Sequence, residues 1–136
     1  YEMVEKEFPA NAVARIQRTA CFGSCPIYTL TVFEDGSAEY FGKKFTPREG
    51  LWAAIVPPEL MDQLMNFANE IGYFELDNVY DKEAVTDVPS TITSLRTSEG
   101  LKTVVNRFEA PEELQRFEQY FDETFKDLEW LPVQTD

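Results

Sequence analysis

Alternating apolar and polar side chains along the chain predict a series of short β-strands. Residues 27–33 are the clearest case, because β-branched and aromatic residues fill most of the run. The Asp35-Gly36 dipeptide that follows is typical of a hairpin turn, and residues 38–45 return as the partner strand. The same kind of pattern predicts further strands at residues 13–20, 51–56, 91–97 and 101–108.

Two amphipathic helices are predicted, each after one or more of these strands. Proline and glutamate stand at the start of both, in residues 57–59 and 111–113. The first amides of a helix have no intrahelical acceptor, so proline is tolerated there, and the helix dipole favours glutamate. Apolar residues then recur every three or four positions, and Gly72 is placed to end the first helix. The sequence therefore predicts an α+β domain with a mostly antiparallel sheet of five to six strands and two helices packed on one face.

The chain of 136 residues has the size of one domain. We expect an N-terminal arm over residues 1–12, a single α+β domain over residues 13–131 and a C-terminal tail over residues 132–136. No window approaches the ~18 apolar residues of a membrane-spanning helix. Because the sequence starts at Tyr1 rather than methionine, we expect a fragment or a processed chain, and this start is compatible with a lipid anchor upstream.

The charge and the missing residue types exclude several classes of function. The chain has 25 acidic and 12 basic residues, a formal net charge of −13, and no histidine. Such a protein repels phosphate backbones, so nucleic-acid binding is not expected. Without histidine there is no Ser-His-Asp triad and no Cys-His dyad, and two cysteines cannot complete a thiolate zinc site. We therefore expect a protein without enzymatic activity or cofactor that binds another protein.

The strongest candidate for chemistry is the motif Cys21-x3-Cys25-Pro26. Four interpretations are open: a structural disulfide across a tight turn that Gly23 allows, two buried free thiols, a redox-active pair near Arg18, and a copper site. The disulfide is favoured, because the motif leads into a strand rather than a helix and no histidine can complete a metal site. A disulfide in turn indicates an oxidising compartment.

Residues 18–28, Arg-Thr-Ala-Cys-Phe-Gly-Ser-Cys-Pro-Ile-Tyr, resemble the signature of a family of bacterial domains of unknown function. The signature is R-T-x-C-F-G-x-C-P-x-Y, followed by a strand and an Asp-Gly turn, and a later Thr86-Asp87-x-Pro89 segment also fits it. The resemblance runs from near Val13 to Phe125 and implies an exported or lipid-anchored envelope protein, which strengthens the disulfide interpretation. It implies no activity. The candidate motif residues, besides the two cysteines, are Arg18, Phe22, Gly23, Pro26 and Tyr28.

The acidic connection at residues 73–89 is a weak candidate for a calcium site, since Ca²⁺ prefers oxygen ligands. Its spacing does not match an EF-hand loop, so a solvated acidic loop is the favoured interpretation. The four carboxylates are Asp77, Asp81, Glu83 and Asp87.

The leading hypothesis is a non-enzymatic binding or accessory domain outside the cytoplasm (periplasmic, outer-membrane-associated or secreted), such as a subunit of a bacterial envelope assembly. It predicts an exposed apolar or aromatic patch on the sheet face that the helices leave open. Two alternatives stay open. One is a thiol-redox or copper-handling protein that uses Cys21 and Cys25, and the other is an acidic inhibitor of a basic enzyme.

Overall fold

The structure, a computed structural model, describes residues 8–20, 24–81 and 90–133. Its strands are β1 (Ala12–Arg18), β2 (Ile27–Phe33), β3 (Ser37–Lys44), β4 (Gly50–Ile55), β5 (Val79–Tyr80), β6 (Thr91–Thr97), β7 (Gly100–Asn106) and β8 (Leu131–Pro132). Its helices are α1 (Pro58–Glu70) and α2 (Glu112–Phe125), with a single 3-10 turn at Tyr73–Glu75.

The described strands form one mixed sheet in the order β5-β7-β6-β1-β2-β3-β4-β8. Neighbouring strands run antiparallel except β5 and β7, which are parallel. The expectation of a mostly antiparallel sheet with five to six strands was therefore wrong, although the α+β class stands. The two additional strands, β5 and β8, contain two residues each. Such a strand is too short to leave an alternating pattern, which needs about four residues to be recognised.

Both helices begin close to where the sequence places them, and α1 also ends there. α1 starts at Pro58 and α2 follows Pro111, as the proline signals predicted. Gly72 lies just past the end of α1 with a φ of 75°, a left-handed conformation that glycine adopts without steric cost. None of the described helices is both long and apolar enough to cross a membrane.

The hydrophobic core lies between the two helices and one face of the sheet. Each buried phenylalanine on α2 contributes about 1.5–3 kcal/mol by leaving water. The fully buried helix residues are Leu64, Ala68, Leu114, Phe117, Phe121 and Phe125. Facing them are alternate strand residues, among them Ala14, Ile16, Leu30, Val32, Leu95 and Val104.

No described helix lies on the opposite face of the sheet, which we call the open face. Phe8, from the predicted N-terminal arm, packs there with its ring centre 5.1 Å from the guanidinium carbons of both Arg15 and Arg96. These contacts place the end of the arm against the sheet just before β1 begins.

Candidate functional site

A single cross-strand row brings polar side chains together at one end of the sheet. Arg18 pairs with Tyr28 on one side and with Thr91 on the other, and Thr91 pairs with Asn106. Residues directly opposite each other on antiparallel strands point to the same face, here the face that carries the helices. α2 adds two carboxylates over this row. We call the six residues the polar cluster: Arg18, Tyr28, Thr91, Asn106, Glu118 and Asp122.

Arg18 and Asp122 form the centre of the polar cluster. The Arg18 Nη2 lies 2.6 Å from the Asp122 Oδ2, and the two side chains are only 25% and 29% exposed. The Arg18 Nε donates to the Tyr28 hydroxyl at 2.8 Å, and its Nη1 donates to the Thr91 hydroxyl at 3.0 Å. The Tyr28 hydroxyl in turn donates to the other Asp122 oxygen. Burial, and then the charge of Asp122, raise the pKa of Tyr28, so the hydroxyl stays protonated.

Glu118 lies one helical turn before Asp122 and is 5% exposed. The Asn106 side-chain amide donates to both of its carboxylate oxygens, at 3.1 and 2.9 Å. Neither of the two ion pairs among the described residues includes Glu118. Burial raises the pKa of Glu118 to about 7, against the opposing effects of the Asn106 hydrogen bond and the Arg18 charge. A carboxyl group that changes its charge near neutral pH is characteristic of functional sites.

A cleft of about 460 Å³ opens onto the polar cluster. Four members of the cluster line it, namely Arg18, Thr91, Asn106 and Glu118. The remaining lining comes from the segment after β7 and from the exposed side of α2, at Arg107, Phe108, Glu109, Ala110, Gln115 and Gln119. The cleft is therefore polar throughout apart from Phe108 and Ala110.

A second cavity, of about 250 Å³, lies on the other side of Asp122. We call it the aromatic cavity, because its lining includes Tyr28, Tyr40, Phe45 and Trp130. The rings of Tyr28 and Tyr40 stack there at 5.2 Å, and Trp130 lies 5.7 Å from Tyr40. The loop after β3 forms its outer wall. That loop approaches so closely that a Cβ on Gly42 would lie 1.7 Å from the carbonyl oxygen of Arg48, which explains the glycine.

The sequence motif is only partly within the described residues. Arg18 and Tyr28 come together in the polar cluster, and Pro26 lines the aromatic cavity. Cys21, Phe22 and Gly23 lie outside the described residues. The pairing of Cys21 with the half-buried Cys25 stays a prediction.

Thr19, which follows Arg18 in the motif, connects the motif to the start of β6. The backbone N–H of Ser90 donates to the Thr19 hydroxyl at 2.8 Å, and the Thr19 N–H donates to the Ser90 carbonyl at 3.0 Å. Ser90 directly follows the Thr86-Asp87-x-Pro89 segment, which itself lies outside the described residues. Thr19 of the motif and Ser90 are thus neighbours in the fold.

Sequence reasoning missed four members of the polar cluster: Thr91, Asn106, Glu118 and Asp122. One signal was present, because Glu118 and Asp122 each directly follow a phenylalanine of the buried stripe of α2. That position puts them at the border of the buried face, where a charged side chain needs a partner.

The acidic connection is partly described. Asp81 accepts a hydrogen bond from Arg107 at 2.7 Å, and Asp77 is exposed. Glu83 and Asp87 lie outside the described residues, so the four carboxylates as a set stay untested. Within the described part of the chain, no three acidic or cysteine side chains are grouped closely enough to hold a metal ion.

The open face carries an exposed apolar patch at the β3-β4-β8 edge. Phe41 pairs with Leu51, and Ala53 pairs with Leu131. The side chains of Ile55, Leu131 and Phe41 are 78%, 60% and 48% exposed. We call this surface the open-face patch: Phe41, Leu51, Ala53, Ile55, Leu131 and Val133.

Fold and site together define an α+β domain in which a polar cluster closes one end of a single mixed sheet. A family model described as a domain of unknown function, DUF6438, matches residues 13–125. The chain therefore belongs to this family, and the matched region includes the whole polar cluster. A comparison with curated proteins finds no match. The resemblance noted from the sequence is confirmed to this extent, while the bacterial origin and the signature stay predictions.

Proposed function

We propose that this chain is a non-enzymatic binding or accessory domain that docks a partner protein through the open-face patch. The supporting observation is the exposure of large apolar side chains on neighbouring strands, led by Ile55 and Leu131. Each square ångström of apolar surface that a partner covers contributes about 25 cal/mol, and contiguous exposed patches of this kind mark interaction sites. This patch lies on the sheet face where the binding hypothesis requires it.

The partner contacts side chains of the sheet rather than adding a strand to it. The N–H of Val133 donates to the Leu51 carbonyl at 2.8 Å, so the backbone nitrogen of Pro132 points away from β4. Proline has no N–H, and β8 is only two residues long. This edge therefore lacks the donors that an incoming strand requires.

Charge indicates the chemistry of the partner surface. Glu39 is exposed and sits opposite Ala53, next to the open-face patch. The chain as a whole carries −13. A partner with an apolar centre and a basic side chain facing Glu39 is complementary to both features, and a basic enzyme is one such partner.

Site-specific photo-crosslinking tests the patch. We expect a benzoylphenylalanine at position 55 to form a discrete heteromeric adduct in the native host, detected on a denaturing gel. The same label at Val79 serves as the matched control, because Val79 is 56% exposed but lies on β5 at the opposite edge of the sheet. Adding Leu131→Glu should abolish the adduct at position 55, since burying an unpaired charge at the centre of an interface is unfavourable.

Equal crosslinking from positions 55 and 79, or an adduct that survives Leu131→Glu, would contradict docking through the patch. An adduct with twice the mass of the chain would also contradict it, because the patch would then join two copies of this protein.

We further propose that the domain works outside the cytoplasm with Cys21 and Cys25 joined. Support comes from the motif and from Arg18, the basic side chain nearest in sequence. Arg18 donates to Asp122, Tyr28 and Thr91, so it is already committed to partners other than a catalytic thiolate.

Alkylation followed by intact mass measurement tests the pairing. We expect no alkylation of the native protein without reductant, and alkylation of both cysteines after reduction. Alkylation of both without reduction would overturn the pairing and remove the support that the cysteines give to an oxidising compartment.

A further inference from the structure

We propose that the cleft beside the polar cluster binds a small organic cation, with the Glu118 carboxylate receiving its primary ammonium group. The cleft lies on the helix side of the sheet, away from the open-face patch. The proposal therefore does not depend on how the domain docks a partner.

Glu118 is the first argument, because its burial is costly, the Arg18 charge offsets that cost only in part, and neither ion pair among the described residues includes it. The side chain is 5% exposed, and the partner that the structure shows for it is the neutral amide of Asn106. A buried carboxylate without an opposite charge destabilises the folded state, and a glutamine could accept the same hydrogen bond. A carboxylate that nevertheless lines a cleft is well placed to bind a ligand.

The charge of the cleft is the second argument. Its two guanidinium groups already have carboxylate partners: Arg18 pairs with Asp122 at 2.6 Å, and Arg107 pairs with Asp81 at 2.7 Å. Glu118 and the exposed Glu109 at the rim add negative charge without an ion-pair partner among the described residues. The charge that a ligand meets in the cleft is therefore negative, which favours a cation.

Size and hydrogen-bonding groups limit the ligand. The volume of about 460 Å³ fits a small molecule or one extended side chain. The Thr91 hydroxyl and the side-chain amides of Gln115 and Gln119 line the same cleft and can position polar substituents.

Binding of a cation must be linked to loss of the Glu118 proton. The charged and titratable groups that act on Glu118 are Arg18 from β1, Asp122 from α2 and Tyr73 from the 3-10 turn. Because the pKa of Glu118 is about 7, most molecules carry a neutral carboxyl at pH 6 and a carboxylate at pH 8. An alkylammonium, like the lysine side chain, stays charged over this range.

Titration with n-butylamine, followed by ¹H–¹⁵N correlation spectra, tests the site. The Asn106 side-chain amide is the reporter, because it bonds Glu118 directly. We expect saturable shifts with a Kd of about 1–10 mM, and an affinity about tenfold higher at pH 8 than at pH 6. Glu118→Gln should weaken binding at least about tenfold, whereas Glu113→Gln, with the same loss of charge at an exposed position of α2 that does not line the cleft, should change it less than about twofold.

A second arm identifies the source of the cation. The peptide acetyl-Gly-Lys-Gly-amide, whose blocked ends carry no charge, is titrated in the same way. If it binds more tightly than n-butylamine, the natural ligand is a lysine side chain of a protein. If it binds more weakly, the natural ligand is a free amine. The proposal is overturned if n-butylamine leaves the Asn106 amide unshifted, if Glu118→Gln binds equally well, or if acetate produces the saturable shifts instead.

Discussion

Replacing Asp122 with alanine is expected to lower the free energy of unfolding by about 2–4 kcal/mol. The Arg18 guanidinium would lose its carboxylate, and the Tyr28 hydroxyl would lose its acceptor. Loss of one partner of a fully buried ion pair costs about 3–5 kcal/mol, and we reduce this figure because both side chains are roughly a quarter exposed. Urea denaturation at neutral pH measures the loss.

Asp127→Ala is the matched control for this substitution. Asp127 is exposed and lies just beyond the end of α2, so its loss should change the unfolding free energy by less than about 0.5 kcal/mol. Asp122→Asn should be milder than Asp122→Ala, because the amide oxygen still accepts the Tyr28 hydrogen bond. If Asp122→Ala and Asp127→Ala are equally mild, the polar cluster does not support this end of the sheet.

Replacing Glu118 with glutamine is expected to stabilise the protein by about 1–3 kcal/mol at pH 8 and by little at pH 4.5. Burial raises the pKa of Glu118 from 4.5 to about 7 in the folded state. Between these values the folded protein holds a proton that the unfolded chain releases, so the wild-type protein loses stability as pH rises through this window. Glutamine stays neutral and keeps both the size of the side chain and an oxygen for Asn106.

Unfolding free energies at the two pH values, compared between wild type and variant, measure this effect. Glu113→Gln is the control, because Glu113 is exposed in the first turn of the same helix. It should shift stability by less than about 0.5 kcal/mol at either pH. A Glu118→Gln variant that is no more stable than wild type at pH 8 would contradict the burial cost on which the cation proposal also depends.

These two residues show why the site was harder to predict than the fold. The hairpin at Asp35-Gly36 and the proline-initiated helices are encoded by neighbouring residues, so local patterns were sufficient to place them. Arg18 and Tyr28 were singled out because they lie close together in one motif. Asp122, which bonds both, lies 104 residues beyond Arg18, and no local pattern connects them.

Local sequence patterns likewise did not predict the two edge strands of the sheet, β5 and β8. β5 pairs in parallel with β7, and β8 pairs with β4 across more than 70 residues of chain. An alternating pattern over about four residues of sequence does not predict pairings of either kind. Each of these two-residue strands is defined by its backbone pairing with a neighbouring strand rather than by its own composition. This is why segments predicted to be a loop and a chain end became strands.

The sequence by itself determined the α+β class, the two amphipathic helices, the hairpin at Asp35-Gly36 and an acidic chain without histidine. Helix, strand and turn patterns depend on neighbouring residues, and composition is counted directly from the sequence. Only the tertiary structure decided that Arg18, Tyr28, Asn106, Glu118 and Asp122 share one end of the sheet and that apolar side chains of β3, β4 and β8 share an exposed face. Strand register and helix packing set both arrangements, and they bring together residues that are far apart along the chain.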